Sequence, residues 1–246
     1  MYRMLTLTRS LLLINLRNRT TLFWNLAFPI GLLLINGLIF ARESPEAAAW
    51  LAVGVVILNM MSSGLIGDSA WLTNMRDQGI LQRMRATPLP PALLVTAYGL
   101  VRLALILAQS AAIVVVAMLA FGARFTWAGL ASGLLWATIG AAVFILLGQA
   151  LAGIAPSASA ALVIAQAVYF PLMFVSNLFM PSEMLPPWLL DLSRWSPALM
   201  LVDLVRPALV PITPLQATWL NAVGLLLYGA LGLAVAARFF RWEPRR

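Results

Sequence analysis

The groups able to do chemistry in this chain are few, and they crowd together. Residues 75–91 read MRDQGILQRMRATPLPP. Four charges, three prolines and a glycine fall in that stretch of an otherwise apolar sequence. There is no Lys, His or Cys anywhere. Without Lys the chain cannot supply the Gly-x4-Gly-Lys-Ser/Thr loop, so it does not bind and hydrolyse ATP in that manner. Without His it lacks the commonest general base and transition-metal ligand. Serine–histidine and metal–histidine hydrolysis are thereby excluded. Without Cys there is no disulfide and no thiolate metal site. No pair of carboxylates falls within an apolar stretch. What remains is polar contact, and the elements that present it.

Of 246 residues, 62% are hydrophobic and 10% charged. Soluble domains are about half apolar and a quarter charged, so the class is an all-α integral membrane protein. A bilayer crossing needs about 20 apolar residues. Six such spans can be drawn. Residues 1–21 are expected to form an interfacial helix, and 22–67 hold spans 1 and 2. Residues 68–102 form a loop, 103–180 hold spans 3 to 5, 181–214 form an outer segment, and 215–246 hold span 6 and a basic tail. Twelve arginines fall on the side of the termini and the 68–102 loop. Only Arg42, Arg124, Arg194 and Arg206 fall on the other. Positive charge stays cytoplasmic, so both termini and the loop are expected there. The net charge of +8 therefore reports topology, and no nucleic-acid partner is expected. No small-residue cleavage site follows a short apolar region, so no signal peptide is read.

Met4, Leu7, Leu11 and Ile14 share one face of residues 3–17, which predicts an amphipathic helix lying on the inner leaflet. The segment from 181 to 214 carries prolines at 181, 186, 187, 197, 207, 211 and 214. Ser182 and Ser196 read as N-caps, with Pro197 in a first turn. Two short helices are expected, too short to cross and re-entrant from the outer leaflet.

Residues 68–85 have helical composition, broken at Gly79 and ended by TPLPP. That describes a short helix and a turn beneath the membrane, suited to passing movement from a soluble motor to the flanking spans. The alternative is a solvated loop that only fixes topology. Asp68 and Arg102 sit at the inner edges of spans 2 and 3, at similar depth. Either they pair or each snorkels to the headgroups. The spans hold almost no ionisable residue away from their ends, which disfavours an ion-coupled carrier.

GILQRMRATPLPPALLVTA resembles the loop of the ABC type-2 transporter permeases, the membrane subunits of drug and polysaccharide exporters. Their pattern is Arg-Glu-x-Gly-x-Leu-x-x-Leu-Arg-x-x-Pro-Leu. Arg76, Asp77, Gly79, Leu81, Met84, Arg85, Pro88 and Leu89 occupy it. Residues 169–206 are similar to the family's proline-rich stretch through Pro171, Ser176, Pro181, Pro186, Pro197, Asp203 and Arg206. A third, weaker match is the Arg-Asn-Arg stretch before a span containing Phe28 and Pro29. The chain departs from the family at Asn177, usually Gly, and at Asp77, usually Glu.

The resemblance implies a half-transporter: two copies paired, likewise two copies of a separate ATPase below them. ATP and Mg would belong to the ATPase, with no cofactor on this chain. It makes the loop a coupling helix, with Arg76, Asp77, Gln78, Gly79, Gln82, Arg83 and Arg85 as its contact set, and Pro88, Pro90 and Pro91 stiffening the return. It likewise makes the helix over 1–21 an interfacial elbow beside the ATPase. Polar residues in spans, Asn36, Asn59, Gln109, Gln149, Gln166 and Asn177, are candidates for a substrate path. For most of them an interhelical hydrogen bond is the simpler reading. The apolar lining favours a drug, antibiotic or lipid moved outward. A lipid-linked glycan is the alternative cargo, and a secondary carrier or membrane scaffold a more distant reading.

Overall fold

The computed structural model describes residues 2–17, 19–40, 44–85, 91–178, 186–210 and 212–239. Among these there is helix and no strand. The helices are α1 (Tyr2–Arg17), α2 (Arg19–Phe40), α3 (Pro45–Met61), a π-helical segment (Ser62–Asp68), α4 (Ser69–Asp77) and α5 (Ile80–Arg85). Then follow α6 (Pro91–Phe121), α7 (Trp127–Ile154), α8 (Ala158–Val175), α9 (Pro187–Ser193), α10 (Pro197–Leu209) and α11 (Thr218–Phe239).

Side chains set several of the helix starts. A helix leaves its first amides without partners, and a Ser or Thr oxygen supplies one. Ser44 accepts from Ala47 N at 3.2 Å, with Pro45 in the first turn of α3. Thr126 accepts from Gly129 N at the head of α7, and Ser157 from Ala160 N at the head of α8. Ser196 accepts from Ala198 N and Leu199 N, as its position before Pro197 predicts. Ser182 lies outside the described residues.

Five helices are long and apolar enough to cross a membrane: Pro45–Asp77, Val95–Phe121, Trp127–Ile154, Ala158–Val175 and Thr218–Phe239. The first expected span falls on α2, whose apolar part, Asn25–Phe40, is shorter. Two boundaries move. Span 2 does not stop at residue 67 but runs on through the π segment and α4 to Asp77. The helix of span 3 starts at Pro91 rather than near 103. Much of the expected loop is thus helix continuous with the apolar spans.

α3 is the central element; from Ala48 to Met61 all but one residue is buried. α7 packs against α11, α10 and the π segment. A Cβ at Gly148 would strike the Gly64 carbonyl, so glycine at that crossing lets the two backbones touch. α10 is no loose external loop, because every residue from Pro197 to Arg206 is buried. Outward faces stay apolar, with Val163, Phe170 and Phe174 on α8 and Leu226, Leu227 and Leu231 on α11 exposed. An aqueous surface would not carry them, and hydrocarbon would. The chain is a multi-pass membrane protein.

Candidate functional site

At the α1 end of the bundle, α4 ends on Arg76 and Asp77 and points both at the turn between α7 and α8. Arg76 is only 2% exposed. It donates from Nη1 to Ala152 O at 3.1 Å and from Nη2 to Ala155 O at 2.8 Å. These are carbonyls at the C-terminal end of α7, where the helix dipole is negative. Asp77 Oδ2 accepts from Ala158 N at 2.8 Å, at the N-terminal end of α8, where the dipole is positive. The two side chains also face each other, Arg76 Nε lying 3.6 Å from Asp77 Oδ1. Adjacent residues of opposite sign therefore grip two adjacent helix ends of opposite sign. A small apolar cluster lies beside this clamp: Leu72, Leu81 and Ala152, with Leu11, Trp71 and Met75 packed against it. It joins α1, α4, α5 and α7.

Beyond the clamp, Gly79 takes φ +69, a left-handed conformation that suits glycine, and α5 follows. Gln78, Gln82 and Arg83 are exposed. Gln78 Nε2 donates to Asn74 Oδ1 at 3.1 Å. The backbone of Arg85 is helical, while Pro88 and Pro90 lie outside the described residues; Pro91 opens α6. The expected contact set thus divides. Arg76 is enclosed by its own chain, Asp77 is exposed but engaged with α8, and Gln78, Gln82 and Arg83 are the outward polar groups beside it.

Deeper in the bundle, Arg102 Nε lies 2.6 Å from Asp68 Oδ1. Of the two readings of these residues, pairing is the arrangement found. Arg102 Nη2 also donates to Ser63 O at 2.9 Å, and the Tyr98 hydroxyl reaches Asp68 Oδ1 at 3.4 Å. Tyr98 stacks on Trp71 with ring centroids 3.3 Å apart. The π segment brings this about. It packs more residues into each turn, so the side chains after it are rotated relative to an uninterrupted α-helix. Nothing in SSGLIGD announces it, and Tyr98 carries no signal of its role in the sequence.

The opposite end is tied just as closely. α8 ends at Ser176, whose hydroxyl lies 2.6 Å from that of Ser196. Asn177 follows with φ +52. This explains the departure from the family's Gly, since Asn is the side chain that best tolerates the left-handed region at a helix end. Asn177→Gly is expected to leave thermal stability within about 0.5 kcal/mol, whereas Asn177→Val costs about 1–2 kcal/mol. A melting series in detergent checks both; equal shifts would remove the backbone argument. Arg206 donates to Asn177 O at 2.9 Å and Leu178 O at 3.4 Å, and lies 4.0 Å over the Trp50 ring. Asp203 Oδ2 accepts from Gln216 N at 3.1 Å and Asn221 Nδ2 at 3.3 Å. Burial pushes the Asp203 carboxyl above its ordinary range. The Leu215 and Gln216 amides, Asn221 and Arg206 oppose that.

The expected path residues are not brought together. Asn36 Nδ2 donates to Leu32 O of its own helix at 2.9 Å. Gln166 is half-buried on α8, Gln149 is buried on α7, and Asn177 is in the outer turn. Asn59 donates to Gln109 Oε1 at 3.2 Å and also borders a pocket between α2 and α3. Two apolar cavities of about 450 and 360 Å³ lie elsewhere, the first between α7, α8 and α11, the second among α3, α6, α7 and α10.

A multi-helix membrane bundle whose charges secure helix ends, rather than a reacting group, is built as a permease is. The profile of the ABC-2 type transporter family matches residues 2–210. The chain belongs to that family. It is also similar to the Bacillus subtilis (strain 168) protein named "Putative transport permease YvfS", 26% identical over 196 residues, 74% of this chain and 76% of that one. The family resemblance carried by the 75–91 stretch and by residues 169–206 agrees with this.

Proposed function

We propose that the chain is the membrane subunit of an ATP-driven exporter in the cytoplasmic membrane, with both termini inside and α2 as a sixth span. Two copies pair, and two copies of a separate ATPase, which holds ATP and Mg, dock on them. This chain has no ATPase site. The Arg76–Asp77 clamp is the observation that supports this reading best. An exposed polar face at Gln78, Gln82 and Arg83 stands directly beside the buried Arg76 contacts to the end of α7 and the exposed Asp77 contact to the head of α8. A push on α4 and α5 therefore moves both long helices rather than a floppy loop. The packed bundle then shifts between discrete arrangements. The apolar cavities and scarcity of charge favour an amphiphilic cargo such as a drug, antibiotic or lipid.

Purification of the tagged protein from its native cells in mild detergent tests the partner. A soluble P-loop subunit is expected in about equal amount. Arg83→Glu is expected to lose most of it, while Arg194→Glu at the opposite end keeps it, because like-charge contact at a docking face costs several kcal/mol. A chain that purifies alone and moves cargo under an ion gradient overturns the proposal.

A further inference from the structure

The pocket between α2 and α3 holds about 230 Å³, the liquid volume of roughly eight waters. Asn25, Phe28, Pro29, Leu58, Asn59, Ser62 and Ser63 line it. Its polarity is out of place in a spanning region. Elsewhere in the bundle such groups turn back on their own helix: Ser110 donates to Ile106 O, Thr138 to Leu134 O and Asn36 to Leu32 O. That is the ordinary way to keep a polar side chain in hydrocarbon. The Asn25 and Ser63 side chains do otherwise. Neither has a hydrogen-bond partner among the described residues, and both face the pocket.

Three further groups add to this array. Pro29 has no N–H, so the Asn25 carbonyl lacks the donor a helix would give it. Ser62 spends its proton on Asn59 O at 3.2 Å, which leaves its lone pairs as acceptors. Asn59 gives an amide proton to Gln109 and keeps its own side-chain carbonyl. The pocket therefore offers donors and acceptors from amides, hydroxyls and one main-chain carbonyl. Among the described residues, no charged side chain lines it. The guanidinium that reaches the Ser63 carbonyl, that of Arg102, is paired with Asp68. Phe28, exposed, and Leu58 supply apolar wall.

We infer that this pocket binds the uncharged, hydroxyl- or amide-bearing head of an amphiphile whose tail lies in the bilayer. An ion would meet no counter-charge there, and desolvating it would go uncompensated. A purely apolar molecule would leave the array unpaired. The inference rests on the exporter reading only if the occupant is cargo; a resident lipid with the same head would use the same groups.

The chain contains no Cys, so single thiols report cleanly. Ser62→Cys and Ser63→Cys, close in size to the original, are placed in liposomes without any ATPase and labelled with N-ethylmaleimide. Octyl glucoside, held below its micelle concentration, is the probe, with octyltrimethylammonium and octyl sulfate as charged counterparts on the same tail. At about four times its Kd the glucoside slows labelling about fivefold. The charged pair change it little, and adding Asn25→Ala with Asn59→Leu abolishes the protection. Ser132→Cys, half-buried on α7 away from the pocket, shows no protection. Equal protection by all three probes, protection at position 132, or none at either pocket thiol overturns the site. When the ATPase and ATP are supplied, protection that disappears marks cargo and protection that persists marks a resident lipid. Either result keeps the site. Because the labelling needs no ATPase, its failure leaves the exporter reading standing, and loss of ATP-driven transport leaves the site standing.

Discussion

Asp68→Asn is expected to destabilise the chain by about 3–5 kcal/mol, while Asp68→Leu combined with Arg102→Met recovers most of that loss. Asp68 is wholly buried and Arg102 nearly so. The single change keeps the shape but leaves a guanidinium charge with no anion beside it. The double change removes both charges and fills the space with apolar atoms, which buried pairs tolerate well. Tyr98 and the Ser63 carbonyl lose a partner in the double variant, so recovery is not complete. The comparison to make is the thermal midpoint in one detergent. The single variant falls by about 10 °C or more and the double by much less. Equal falls would mean that the pair contributes by packing alone, and that its charge is incidental to how the π segment meets α6.

Most of the helical frame is legible in the chain because it depends on local chemistry. Length and hydropathy mark α6, α7, α8 and α11. Ser196 before Pro197 marks the start of α10, and Gly79 marks the break between α4 and α5. The amphipathic face of residues 3–17 marks α1, whose Leu11 indeed packs inward against the cluster beneath α7. The misplaced boundaries have a physical cause. Residues 69–77 read as a separate short helix after Asp68, and the largely apolar 91–102 lie between TPLPP and Arg102, but continuing a helix satisfies each amide at no extra nucleation cost.

The site was less legible, for a different reason. The resemblance to the family places Arg76 and Asp77 in a partner contact set, and a charged stretch in an apolar chain says nothing of bonds within the chain. The acceptors and donor they meet within the chain, Ala152 O, Ala155 O and Ala158 N, are main-chain atoms with no side-chain signature. They are also more than seventy residues away in the chain. Sequence spacing cannot reveal a bond to a distant helix end. Asn177 shows the converse case, where a departure from the family pattern makes sense once its backbone angle is known.

Arg76→Ala is expected to cut ATP-driven transport about tenfold or more while leaving the ATPase subunit bound. Hydrogen bonds made by a charged group contribute about 1.5–3 kcal/mol each, and this change removes two at the end of α7. The outward face of Gln78, Gln82 and Arg83 is untouched, so docking persists and hydrolysis continues without movement. Arg76→Lys should fall between, since one point charge replaces a two-pronged fork. The informative variant is the exchange Arg76→Asp with Asp77→Arg. It conserves net charge and would preserve a simple ion pair or a generic polar contact. It would also aim a carboxylate at the carbonyls of α7 and a guanidinium at the amide of α8, against both helix dipoles. The exchange should therefore be no better than Arg76→Ala, and probing the ratio of cargo moved to ATP hydrolysed in inverted vesicles reads it directly. If the exchange restores transport, the pair acts through its own mutual attraction. If Arg76→Ala instead releases the ATPase, Arg76 belongs to the docking face after all. Only a clamp oriented by the two helix ends predicts retained docking, lost movement and no rescue together.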